Sequence, residues 1–263
     1  MTDPVQVFKR AIEVVREGVR NANPASGHIW REPLVSIVSA DHPDFTLLPR
    51  IAAEDHFMPG DILAGAKSVI VYFIPFTREL GQTNLRNRNA SAEWARAYVD
   101  TNRLIESIST AVSKHIAASG YGASALPATH NFDEARLVSR WSHRHIAWIA
   151  GMGSFGINNM LITERGSCGR YGSVVAALPP PLPEAGKGTA DQAGRVERCR
   201  FKIDGSCGAC VKRCVNGALT IDSFDRHRCY EMCLENGALH SGLEGPPAVC
   251  GKCATGVPCA WME

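Results

Sequence analysis

The sequence predicts an α/β (α+β) fold, an α/β layer followed by a small cysteine-rich module. Three observations carry this. Uncharged β-branched and aromatic segments, above all SVIVYFIPF at 68–76, read as buried strands. Segments with apolar residues at helical spacing alternate with them. Nine of the ten cysteines fall after residue 198. At 263 residues the chain has the length for a substantial core, as one large domain or one domain with an appendage.

In order, the spacing predicts a helix over 4–20, then a loop containing Pro24 and Gly27, and a short strand LVSIVSA at 34–40. Residues 41–61, rich in Pro, His and Asp, read as irregular, and the 68–76 strand suits a central place in a sheet. A long helix over 91–119 is expected, with Ser91 as N-cap and Gly120 as its stop. A short strand near 121–126, a loop to about 135, a helix over 136–150, a glycine-rich turn at 151–156 and strands at 159–163 and 171–177 follow. Residues 179–196, with their Pro, Gly and small polar content, read as a linker between a domain at 1–178 and a module at 197–263.

Composition narrows the function. Hydrophobic residues make up 45% and charged residues 21%, and no apolar run approaches the roughly 18 residues that span a bilayer. The N-terminus reads as a mixed-charge amphipathic helix and not a signal peptide, so a cytoplasmic location without membrane attachment is expected. A net charge of +2, with scattered Lys and Arg, argues against a nucleic-acid partner. In a reducing compartment the cysteine cluster points to metal ligation over disulfides.

Cys207, Cys210 and Cys214 form a C-x2-C-x3-C array with Cys199 upstream, close to the bacterial ferredoxin run C-x2-C-x2-C-x3-C-P. It departs from that run in two places: Asp204 stands three before Cys207, and Val215 replaces the proline. A second set comprises Cys229 and Cys233 on a short helix and Cys250, Cys253 and Cys259 in CGKCATGVPC. Two [4Fe–4S] clusters follow, and because the last cysteine of each ferredoxin run ligates the other cluster, the first takes Cys199, Cys207, Cys210 and Cys259. The second takes Cys214, Cys250, Cys253 and either Cys229 or Cys233. A tetrahedral zinc site built from C-x2-C pairs is the competing reading. Gly205, Gly208 and Gly251 allow close backbone approach to a cluster.

The stretch LVSRWSHRHIAWIAGMGSFGINNMLITERGSCGRYGSVVAAL carries Gly151, Gly153 and Gly156, which would admit a bulky ligand, and the amides of Asn158 and Asn159. A packing role for the glycines is the alternative. This stretch resembles the A-G-L-G-W-I-G-K-N-T-L-L-I motif of epoxyqueuosine reductases, cobalamin-dependent iron–sulfur enzymes, and MPGDILAGAKSVIVYFIPF resembles their P-G-A-R-S-V-I-V strand. With the cysteine module the similarity covers most of residues 50–260 and is closer to short relatives without the C-terminal helical repeats. The resemblance implies a nitroreductase-like α/β layer carrying a ferredoxin-like module, with a corrinoid between them, and favours Cys229 over Cys233 as ligand. It implies that the clusters reduce cobalt, which reduces a substrate the sequence does not name, and that an external ferredoxin or flavodoxin supplies electrons.

The family's V-D-x-x-P-x-x-E motif is absent at the matching place, where ALPATHNFDEARL stands, so the epoxide reduction is not carried over. Asp133 and Glu134 remain candidate acids, against a reading as solvated loop carboxylates. His143 and His145 are further candidates, although residues two apart on a helix project about 200° from one another. Arg140, Trp141, Ser142, Arg165, Arg170 and Tyr171 are candidates to line a pocket for an anionic or planar ligand. Cys168 falls outside the ligand count; it reads as a small buried or surface thiol, against an approach to cobalt or substrate. The rival functions are an electron-transfer or cobalamin-reducing protein without its own substrate chemistry, and a protein whose clusters only brace the fold.

Overall fold

Proline at the first helical position and the Asp3 carboxylate, which accepts from Val5 N, start the first helix of the computed structural model, α1 (Pro4–Ala22). The structure describes residues 3–23, 25, 27–181, 196–245 and 247–262; the expected linker lies almost wholly outside them. Strand β1 (Leu34–Ser39) leads to a 3-10 turn over Pro43–Leu47 and two single-turn helices, α2 (Leu48–Ile51) and α3 (Pro59–Ile62). Residues 41–61 are therefore more regular than expected, because prolines at two first positions and Asp44 and Asp61 in first turns favour helix starts.

Strand β2 (Ser68–Pro75) is buried along its whole length. After the short helix α4 (Arg78–Thr83), α5 (Ala92–Ala118) starts where Ser91 Oγ accepts from Trp94 N at 3.1 Å, as predicted. Strand β3 (Ala123–Ala125) and β8 (Gly169–Ala176) complete a four-stranded antiparallel sheet of order β1-β2-β8-β3. β2 is central, with Ser68 opposite Ala176 and Phe73 opposite Leu34. One sheet face, through Ile70, Tyr72, Ile74 and Val174, packs on α1 and α5. The other, through Val69, Val71, Phe73 and Val175, packs on Phe45, Leu48 and the later helix α6 (His143–Ile149). Alternation along the strands feeds two cores, which is why β2 carries no polar face.

The region 130–141 corrects an expectation. Instead of a loop and then a helix from 136, it forms a hairpin of β4 (His130–Asp133) and β5 (Val138–Trp141). Asp133 Oδ1 accepts from the backbone N–H of both Ala135 and Arg136 at 2.9 Å, and Leu137 takes a left-handed φ of 53°, closing the turn. Phe57 N donates to Arg140 O and Ser142 N to His56 Nε2, holding 140–142 extended, so the helix cannot begin before His143. The glycine-rich turn likewise becomes a strand, β6 (Gly153–Phe155), paired with β7 (Leu161–Thr163).

Beyond residue 195 the chain forms α7 (Arg200–Asp204), α8 (Ala209–Lys212) and α9 (Arg226–Leu239), the last capped by Asp225 Oδ1 accepting from Arg228 N. The module shares the core of the sheet: Cys210, Leu219, Val257 and Ala260 are buried together with α1, α5 and β2 residues. Its tail docks on the residues before β8, with Ser167 N donating to Cys259 O and Cys168 N to Ala260 O. Among the described residues no helix is long and apolar enough to cross a membrane.

Candidate functional site

The nine C-terminal cysteines sort into two cavities. Cys199, Cys207, Cys210 and Cys259 line a small one of about 70 Å³, closed by Ile157, Phe201 and Met262. Cys214, Cys229, Cys233, Cys250 and Cys253 line a second of about 290 Å³, walled by Phe76, Trp94 and Met232. Asn158 borders both, and its amide donates to Cys253 O at 2.9 Å. Among the described residues no three His, Cys, Asp or Glu side chains converge as they would around one metal ion; the thiols stand around space instead.

Local chain chemistry builds this. Gly205, at φ 74°, ends α7 before Cys207, and Gly251, at φ 71°, lets the Cys250–Cys253 loop pass against the Trp94 indole, where a Cβ would sit 2.5 Å from Nε1. Asn84 Nδ2 donates to Cys250 O, Lys252 Nζ to the carbonyls of Asn84 and Arg86, and Leu219 N to Cys214 Sγ at 3.3 Å. Lys252 is a buried lysine that reads in sequence as an ordinary surface residue of CGKC; burial lowers its pKa and the neighbouring Cys250 raises it. Cys229 and Cys233 stand one turn apart on α9. Their mutual hydrogen bond lowers the Cys229 thiol and, with burial, raises Cys233. Burial raises the pKa of Cys210, Cys250 and Cys253, and that of Cys259 to about 11, so these thiols are protonated without metal and must release protons to ligate.

The donor set fits iron–sulfur clusters. Soft thiols line two cavities, and the second is lined by Trp94, whose Nε1 is a buried donor without a partner among the described residues. An indole N–H there suits a cluster sulfur as acceptor.

Two further spaces adjoin the second cavity. A chamber of about 300 Å³ shares Arg144, Met160, Gly169 and Arg170 with it. An open cleft of about 730 Å³ between α5, the β4–β5 hairpin and α9 meets it at Tyr98 and the chamber at Ala128 and Thr129. The cleft's aromatic walls, Tyr98, Phe132 and Tyr230, suit a large planar group such as a corrin.

The remaining candidates lie as follows. Gly156 borders the small cavity, whereas Gly151 and Gly153 line none of the four spaces. Gly151 takes φ 73° just after α6, and Gly153 is held by β7, whose Ile162 O would lie 2.1 Å from a Cβ; both serve the backbone. Asn159, at φ 57°, lines the second cavity and accepts from Arg144 Nη1 through its carbonyl. Ser142 lines the side chamber with its Oγ on His145 Nδ1. Arg140 pairs with Asp55 at 2.9 Å and lies over the Phe57 ring. Arg165 gives its backbone N–H to Thr163 Oγ1.

Of the candidate acids, the Asp133 carboxylate is occupied by the hairpin turn, and Glu134 lines the open cleft, exposed. His143 is buried, with Nδ1 on Ser173 Oγ and Nε2 on Pro127 O. His145 packs on Phe155, and burial, with Arg144 nearby, pushes its pKa down to about 3. Cys168, buried at the wall of the second cavity, has its thiol pKa raised by burial. Sequence reasoning missed Trp94, Tyr98 and Lys252, whose roles come from contacts with Gly251, Arg170, Asn84 and Arg86, far away in the chain.

No protein-family model matches the chain, and no curated protein matches it in sequence. Solved structures do. A selenomethionine-labelled epoxyqueuosine reductase superposes with a TM-score of 0.61 at 17% identity, covering 98% of this chain and 66% of its own. An epoxyqueuosine reductase with an epoxyqueuosine-modified tRNA-Tyr stem loop gives 0.56 at 17%, covering 89% and 59%. The Bacillus subtilis enzyme, with its catalytic loop swung out of the active site, gives 0.60 at 15%, covering 98% and 66%. The chain thus spans 59–66% of the length of these structures. Over nearly all of its residues, this chain has the fold of the epoxyqueuosine reductases.

Proposed function

We propose that the chain is an iron–sulfur oxidoreductase that carries electrons through two [4Fe–4S] clusters towards a cobalamin and a substrate in the adjoining cleft. The observation that carries this is the division of nine cysteines into four around one cavity and five around its neighbour. In this reading Cys199, Cys207, Cys210 and Cys259 hold the first cluster. Cys214, Cys250, Cys253 and Cys229 hold the second, with Cys233 able to replace Cys229. Bound there, the clusters supply one-electron transfer and the corrinoid a strongly reducing cobalt.

The chain's own residues do the rest. The Asn158 amide ties the wall shared by the two cavities to the Cys253 loop, fixing their separation. Phe76, Trp94 and Met232 give the second cavity an apolar lining, and the Lys252 ammonium offsets thiolate charge beside it. Tyr98, Phe132 and Tyr230 would hold the corrin. Glu134 is the candidate acid with access to the cleft. An external ferredoxin or flavodoxin is the donor in this reading.

A rival reading, electron transfer or cobalamin reduction for another enzyme, is favoured by the missing aspartate motif. A nucleic-acid substrate is a further reading, favoured by the tRNA stem loop held by one of the similar structures and opposed by the +2 charge. The test is anaerobic reconstitution, then titration with cob(II)alamin followed by EPR. About eight irons per chain and a base-off cobalt signal are expected. Iron without a cobalt shift would leave an electron carrier, and zinc in place of iron would end the redox reading.

A further inference from the structure

We propose that Arg144 and Arg170 form a binding site for a small anion, a carboxylate or a phosphate, where the second cysteine cavity opens into its side chamber. Both residues line both spaces, and no Asp or Glu lines either. Several arginines elsewhere pair with carboxylates: Arg10 with Glu17, Arg103 with Glu244, Arg136 and Arg140 with Asp55. Among the described residues Arg144 and Arg170 have no such ion pair. Arg170 Nε is buried without a hydrogen-bond partner, and its guanidinium is fixed 4.1 Å above the Tyr98 ring. Arg144 Nη1 donates to Asn159 O at 2.6 Å, which fixes its direction.

Two guanidinium groups held near one another and partly desolvated repel, and burial together with Arg170 lowers the pKa of Arg144. A bound anion removes that cost and satisfies the idle donor, and the planar forks suit carboxylate or phosphate oxygens. Thr129 and Ser142 also line the chamber, and its volume of about 300 Å³ limits the ligand to a small molecule. This deepens the proposed function: the electron acceptor would be anchored by its anionic group with its remainder towards the cysteines.

The test is calorimetric titration of the reconstituted protein, and of the same protein before iron loading, with inorganic phosphate and with acetate, against chloride at equal ionic strength. Wild type should bind phosphate or acetate saturably. Arg170→Gln should weaken binding about tenfold or more, as expected for losing a hydrogen bond to a charged group, while Arg170→Lys retains part of it. A response equal to that of chloride, or unchanged in Arg170→Gln, overturns the site. Binding of a short single-stranded RNA but of neither small anion also overturns it, assigning the arginines to a nucleic-acid backbone. Anion binding by protein that takes up no iron would leave this site standing while the redox reading falls.

Discussion

The two cysteine cavities differ in everything except their thiols. The first is about 70 Å³, and Arg198 and Arg200 flank it beside a half-buried Cys207. The second, about 290 Å³, has a fifth cysteine, aromatic walls, a buried lysine and two arginines, and it opens into a chamber and a cleft. A tight pocket near the surface suits entry of electrons, and a roomier one continuous with a cleft suits their use. The ferredoxin-like pseudo-symmetry of the sequence thus ends in two unlike environments, made by what the α/β layer contributes to each.

The sharpest way to break the comparison is to remove one thiol from each side. Cys210→Ser should abolish the first cluster and leave the second, and Cys214→Ser the reverse, although the two lie in one array four residues apart. Each variant should lose about half of the iron, with one of two EPR signals surviving. Loss of the same signal in both would mean that the chain does not cross between cavities. Cys233→Ala should keep its full iron content if Cys229 is the ligand.

Next in size is an effect confined to the first cavity. Gly166 has φ 94°, and a Cβ there would stand 2.3 Å from Ala260 O, in the tail that carries Cys259. Gly166→Ala should cost about 3 kcal/mol, from strain and displacement of the tail together. Gly205, at φ 74° beside the same cavity, faces open space, so Gly205→Ala should cost about 1 kcal/mol from backbone strain alone. Urea denaturation midpoints check both, and equal losses would mean that the tail does not brace the cavity.

What the sequence makes legible follows from locality. The cap at Ser91, the apolar stripe of α1 and the uncharged run of β2 each depend on residues a few positions apart, and the structure has them where they were expected. The cysteine spacing is local in the same way. The hairpin at 130–141 is not, because its apolar residues also satisfy a helical period and the deciding bonds come from His56 and Phe57. The cavity walls are the extreme case: Trp94 meets Gly251, and Lys252 meets Asn84 and Arg86, across most of the chain. Arg170 is a pocket candidate in the sequence and Arg144 is not; what joins them is the absence of carboxylates from the cavities they line, which only the fold reveals.

The last effect concerns His145, which packs on Phe155 and contacts Ser142 in the chamber wall. His145 has an ordinary pKa of 6.5, but the fold holds it neutral down to about 3, chiefly by burial and then by Arg144, His56 and Arg226. The unfolded chain therefore takes up a proton near pH 6.5 that the folded one refuses. The stability involved is fully present above pH 6.5 and is lost progressively as pH falls towards 3. His56, also lowered by burial, acts in the same direction. Carboxylates such as Glu235, lowered by Arg88, lose their contribution only below about 4.5, their ordinary value, so the interval from 6.5 to 4.5 isolates the histidines. Over that interval wild type should lose on the order of 2 kcal/mol, and His145→Gln, which keeps a polar group near Ser142, should lose less than half as much. Equal slopes for the two proteins would mean that water reaches His145 and that the chamber wall is open; a flattened slope in the variant would establish that the wall is dry, as a site relying on desolvated arginines requires.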